Sequence, residues 1–208
     1  MSSALLPAFA KGFALSAGLI IAIGAQNMFV LRQGLKREHV WPIVLFCAAA
    51  DASLIVAGVS GLGSVLAVIP GLSMALSLGG GAFLAWYGVA ALRRAASPSG
   101  LVLDQQAGLS LGAALAGTAA FTFLNPHVYI DTVILMGAVG TSMPVADRPW
   151  FMLGGASASF VWFASLGFGA RLLAPLFARP IAWRILDMLI GIMMTVLAIS
   201  LLRSAFGS

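Results

Sequence analysis

Long apolar stretches separated by short polar clusters run through the whole chain, and their spacing predicts six membrane-spanning segments near residues 5–31, 40–65, 71–92, 109–140, 149–173 and 182–203. Arg32, Lys36, Arg37, Glu38 and His39 follow the first segment, Pro70-Gly71 divides the second from the third, and the stretch from Arg93 to Asp104 divides the third from the fourth. Pro144 to Pro149 and Arg179-Pro180 close the remaining gaps. The fourth segment is too long for one crossing. As a straight helix, residues 109–140 would reach about 48 Å, whereas a hydrocarbon core is about 30 Å thick. A break at Asn125-Pro126 resolves the excess, because proline lacks a backbone N–H and suits the first turn of a helix but not its interior.

Composition fixes the class: 61% of residues are hydrophobic and 8% charged, against about 25% charged in an average soluble domain. The expected fold is an all-α integral membrane protein. The 11 Lys and Arg form no basic run, so they read as topology charges and not as a nucleic-acid surface. Arg32, Lys36, Arg37, Arg93, Arg94, Arg171, Arg179 and Arg184 flank loops 1–2, 3–4 and 5–6, and only Lys11, Arg148 and Arg203 flank the other side. This bias predicts loops 1–2, 3–4 and 5–6 in the cytoplasm and both termini outside. Lys11 falls too late for the charged region of a signal peptide, and none is expected. Cys47 is alone in an apolar segment and is expected to be a small buried apolar residue. Asp187, three residues after Arg184, reads as half of a local ion pair at the membrane edge.

A repeat with a spacing near 100 to 110 residues adds symmetry. Ala50-Asp51-Ala52-Ser53-Leu54 aligns with Ala156-Ser157-Ala158-Ser159-Phe160, Gly81 with Gly191, and Leu92-Arg93-Arg94-Ala95 with Leu202-Arg203-Ser204-Ala205. Upstream, Gly24-Ala25-Gln26-Asn27 falls opposite Leu124-Asn125-Pro126-His127. Three helices per copy is an odd number, so the second copy would enter the membrane from the other side, as in many secondary transporters. The expected organisation is residues 1–95 as one three-helix repeat, 96–108 as a cytoplasmic loop and 109–208 as an inverted second repeat, with helices 1 and 4 broken. Glycines such as Gly79-Gly80-Gly81 and Gly154-Gly155 read as close helix contacts, and such faces would also permit a homodimer.

Candidate chemistry concentrates at the two breaks. Asn125-Pro126-His127-Val128-Tyr129-Ile130-Asp131 lies in a run holding no other ionisable group between Asp104 and Asp147. An ionised carboxylate near the bilayer midplane costs about 2.5–3.5 kcal/mol on insertion scales, so an acid there points to function. Asn125 can cap a half-helix, Pro126 fits its first position, and the N–H groups beyond suit a carboxylate. His127 and Asp131 share a helix face at a spacing of four. Gln26 and Asn27, beside Gly24, offer amides at the first break. Asp51 is the only acid from Val40 to Leu92 and must face a wet cavity or a base. Plainer roles exist for His127 (bonding a carbonyl at the break), Tyr129 (packing) and Trp162 (packing or membrane interface).

These residues carry a family resemblance. Ile23-Gly24-Ala25-Gln26-Asn27-Met28-Phe29-Val30, Gln33-Gly34-Leu35-Lys36-Arg37, Asp51, Asn125 through Thr132 and Ser157 through Phe163 resemble the lysine exporter (LysE) family, most closely its arginine exporter branch. The resemblance spans nearly the whole chain. It implies a bacterial inner-membrane secondary transporter that exports basic amino acids, with proton antiport and alternating access. Asp51 and Asp131 would counter the substrate's positive charges, and the half-helix amino ends would hold its carboxylate. Asp51, Asp131 and His127 are the proton-coupling candidates, with Gly24, Gln26, Asn27, Asn125, Pro126 and Tyr129 completing the substrate site. No enzyme activity, cofactor or resident metal is implied. The alternatives are neutral amino acids or inorganic cations on the same fold. The family usually has proline where this chain has Ala25, so the first break rests on Gly24 and the Asn125-Pro126 break is expected to be the firmer.

Overall fold

The computed structural model describes residues 5–21, 24–62, 71–96 and 108–206, and among them all regular structure is helical. The chain runs through α1 (Leu5–Ile20), α2 (Ala25–Lys36), α3 (Val40–Ala57, extended by a widened π turn at Gly58–Leu62), α4 (Leu72–Ala96), α5 (Leu111–Phe123), α6 (Pro126–Thr141), α7 (Arg148–Gly169) and α8 (Pro180–Phe206). Helices α3, α4, α7 and α8 are long and apolar enough to cross a membrane. The pairs α1–α2 and α5–α6 are each bent across a short break, and counting each pair as one span gives six. This is a multi-pass helical membrane protein. The Pro70 turn and most of the expected loop 96–108 lie outside the described residues.

Local chemistry accounts for the helix ends. Ser110 caps α5 by accepting the Ala113 N–H at 3.2 Å, α2 stops where Arg37 turns left-handed (φ 59°), and prolines open α6 and α8. Both bends sit where the sequence places them. The proline-free first bend is the steeper, at 85° against 62°. Gly24 is extended (φ −120°, ψ 172°), and Ala25 is the first residue of α2, the position where a proline would be tolerated and is not required. The bend is held instead by Asn27, whose Nδ2 donates to the Ile20 carbonyl at 2.8 Å and so satisfies a carbonyl orphaned at the end of α1.

Small residues set the packing. Helices α4 and α8 run antiparallel along their length, with Gly81 against Ala198 and Leu202 and Gly88 against Gly191. Helix α7 crosses both halves of the first broken span and the whole of α3, while α3 and its π turn cross both halves of the second. At the α1–α7 crossing, a Cβ on Gly12 would overlap the Phe151 backbone and one on Gly154 the Phe9 carbonyl. Gly154→Ala should therefore cost about 1–3 kcal/mol of stability in detergent, whereas Gly112→Ala, whose new methyl would meet nothing, should not; thermal unfolding of the two purified variants separates them. The core gathers Ile43, Val44, Cys47, Phe121, Phe163, Ile190 and Met194, and Cys47 is fully buried as expected. Outward-facing Trp86, Ile185, Leu189 and Val196 leave an apolar surface suited to lipid.

Asp187 departs from its expected partner. Its carboxylate faces inward, is 2% exposed, and accepts from Arg32 at 2.7 Å and from Arg94 at 3.3 Å, so it joins α8 to α2 and α4. Arg184 is exposed and donates to the Ala95 carbonyl at 3.0 Å. Spacing along one helix could not reveal that the two residues point to different environments. Directly inward from this cluster, Arg94 lies over the Tyr87 ring, and Tyr87 packs with Phe29, Phe83 and Phe121.

Candidate functional site

The two breaks and the middle of α3 meet around one polar cavity of about 110 Å³, room for several water molecules at about 10–15 Å³ each. Asp51 enters from α3, Gln26 and Asn27 from the start of α2, Asn125 from the second break and His127 and Asp131 from α6, with Ser16 of α1 and Ser159 of α7 closing the wall. Two carboxylates 80 positions apart in the chain thus face the same space.

Each acid is placed by its local structure. Asp51 is 7% exposed and lines the cavity together with Ser159, whose hydroxyl lies 3.5 Å from that of Ser16. Asp131 sits in a widened π turn, Tyr129–Leu135, a distortion frequent at functional sites. That turn is approached by the π turn of α3: a Cβ at Gly58 would overlap the Val133 carbonyl, so only glycine lets the two distorted segments come this close.

The second break shows the expected cap. Asn125 Oδ1 accepts the His127 N–H at 3.1 Å, with Pro126 at the first helical position. Tyr129 ties the break together by donating its hydroxyl to the Phe123 carbonyl at 3.0 Å, the counterpart of the Asn27 bond at the first break. Trp162 is more than packing, since its Nε1 donates to Asn27 Oδ1 at 3.3 Å and fixes the amide that holds the bend. Gln26 lines this wall, and its Nε2 is buried without a hydrogen-bond partner.

Of the nine residues singled out in the sequence, seven line this cavity: Gly24, Gln26, Asn27, Asp51, Asn125, His127 and Asp131. Pro126 and Tyr129 shape the break without lining it. Sequence reasoning missed Ser16 and Ser159. A signal existed for Ser159, which lies two positions past the residue aligned with Asp51, but hydroxyls in an apolar helix commonly bond their own backbone and so announce nothing.

A second cavity of about 280 Å³ adjoins the first. Both are lined by Leu19, Gly24, Ala25, Asn125, His127 and Asp131, while the second continues between α4, α5 and α8. Among the described residues no three His, Cys, Asp or Glu side chains group closely enough to hold a metal ion.

The model of the LysE type translocator family matches residues 17–205, which contain both breaks, both acids and every helix but the start of α1 and the last residue of α8. The chain belongs to the LysE-type translocator family. Relatives with 46% identity over 185 residues, covering 88% of this chain and 91% of theirs, include "Putative amino-acid transporter Mb0498" of Mycobacterium bovis and two proteins of Mycobacterium tuberculosis with the same style of name. No solved structure matches the chain. As a LysE-type translocator it belongs among transport proteins, and its cavity lies where the two helix breaks meet.

Proposed function

We propose that this LysE-type translocator exports basic amino acids, arginine or lysine, across the bacterial inner membrane in exchange for protons. The observation that carries this reading is the meeting of Asp51 and Asp131 in one cavity with the cap of the second break and the unpartnered Gln26 donor. A basic amino acid brings a carboxylate and two cations. Donors at the half-helix ends suit the first and two acids suit the others. When cargo leaves, each acid must regain a counter-charge, and a proton is the simplest one in a buried site.

The mechanism we propose is alternating access between two inverted three-helix repeats, residues 1–95 and 109–208, with loops 1–2, 3–4 and 5–6 cytoplasmic. The packing supports it: the equivalent helices α4 and α8 pair antiparallel, as do α3 and α7, and each of α3 and α7 embraces the other repeat's broken span. The ion cluster of Arg32, Arg94 and Asp187 joins the three spans at the face bearing those loops, with the aromatic group around Tyr87 between it and the cavity.

Proteoliposomes loaded with arginine, lysine, ornithine or alanine test this directly. Efflux of a basic amino acid should exceed that of alanine by about tenfold or more, equivalent to 1.4 kcal/mol of added recognition, and should accelerate with an inward proton gradient. Equal alanine transport would refute the role given to the acids. A neutral substrate with an apolar side chain is the second reading, favoured by the adjoining cavity.

A further inference from the structure

We propose that the second cavity is a side-chain subsite of the transport site: the head group of the amino acid stays in the polar cavity, and its side chain passes the neck at Asp131 into a chamber walled by Phe83, Leu84, Phe121, Leu197 and Leu201. This inference rests on the amino-acid transport reading and specifies how the same site measures its cargo.

Continuity comes first. Six residues line both cavities, so the two spaces share one wall, and Asn125, His127 and Asp131 stand at the boundary where a substrate's polar and apolar parts would divide. The chemistry changes abruptly across it. Beyond the shared residues, the first cavity adds six polar side chains, Ser16, Gln26, Asn27, Asp51, Thr132 and Ser159, beside four apolar ones, while the chamber adds aliphatic and aromatic walls with Ser200 as its polar member. Away from the shared polar residues, such walls suit an apolar group.

Packing makes the chamber a built feature. Gly80 on α4 meets the Leu124 carbonyl so closely that a Cβ would overlap it, which brings α4 against the second break and closes the chamber there. Phe83 and Phe121 hold an edge-to-face contact, centroids 4.8 Å apart, braced behind by Tyr87. Their rings suit both ends of a basic side chain. The methylene stem gains from apolar burial, and a guanidinium or ammonium at the tip is attracted to an aromatic face. Asp131, which lines both spaces, is the acid that meets the side-chain cation while Asp51 faces the α-ammonium, and the chamber walls select on length and shape.

The test is a homologous series. Unlabelled 2,3-diaminopropionate, 2,4-diaminobutyrate, ornithine and lysine compete with labelled arginine in wild-type proteoliposomes, beside the neutral series 2-aminobutyrate, norvaline and norleucine. Affinity should rise about fourfold per added methylene, the factor for burying one CH₂. Ala120→Phe, which fills the chamber from α5, should flatten that rise, and Phe83→Ala should extend it to longer chains. A rise in the neutral series with none in the basic one would keep the chamber and overturn the basic-cargo reading. Affinities independent of length in both series would overturn the chamber itself, whatever the two variants do.

Discussion

Asp187→Ala is expected to cost this protein about 3–5 kcal/mol, the largest stability loss of any single side-chain truncation away from the cavity, because it strips a buried carboxylate from two guanidiniums and leaves their charge inside the fold. Arg32 is 4% exposed and cannot recover the loss by turning to water. The measurement is the fraction of monodisperse, folded protein after detergent extraction, together with its thermal midpoint. Arg184→Ala serves as the control: its side chain is exposed and bonds one backbone carbonyl, so its effect should stay within about 0.5 kcal/mol. Equal losses in the two variants would return Asp187 to the local pairing with Arg184 that its sequence spacing predicts. Asp187→Glu should recover part of the stability, since it keeps the charge and changes only the reach.

Asp51→Asn and Asp131→Asn should each lower efflux by about thirtyfold or more, the effect of removing one partner from a desolvated charge interaction worth at least 2 kcal/mol. The amide keeps the volume of the carboxylate and a hydrogen-bond acceptor in its place, so the fold should survive. Two assays divide the roles. An acid that binds cargo should raise the KM for arginine when neutralised. An acid that only carries the proton should spare exchange of arginine for arginine at equal pH while abolishing accumulation driven by a gradient. Wild-type rates in both variants would sink the assignment of either acid.

The two breaks show how far sequence reading reaches in such a chain. At Asn125-Pro126 the cap, the proline at the first helical position and the excess length of the segment all point to one break, and the structure has the cap bond and a 62° bend there. At Gly24-Ala25 no proline marks the break, and the pair is still bent there. Its support comes from Asn27 and, behind it, Trp162 on α7, 135 positions later. A bond closed across that distance leaves no local trace.

The sequence by itself determined the helical membrane class, the number of candidate spans, both broken segments and the family, because these depend on periodicity, length and local backbone chemistry. It also marked Asp51 and Asp131 as acids too costly to bury without purpose. Only the tertiary structure decided that the two acids share a cavity, that Ser16 and Ser159 complete its wall, and that a second cavity shares Asn125, His127 and Asp131 with it. It alone moved Asp187 from Arg184 to Arg32 and Arg94. Such pairings are set by which faces of distant helices the glycines allow to touch, and a one-dimensional pattern does not encode the rotation of one helix against another.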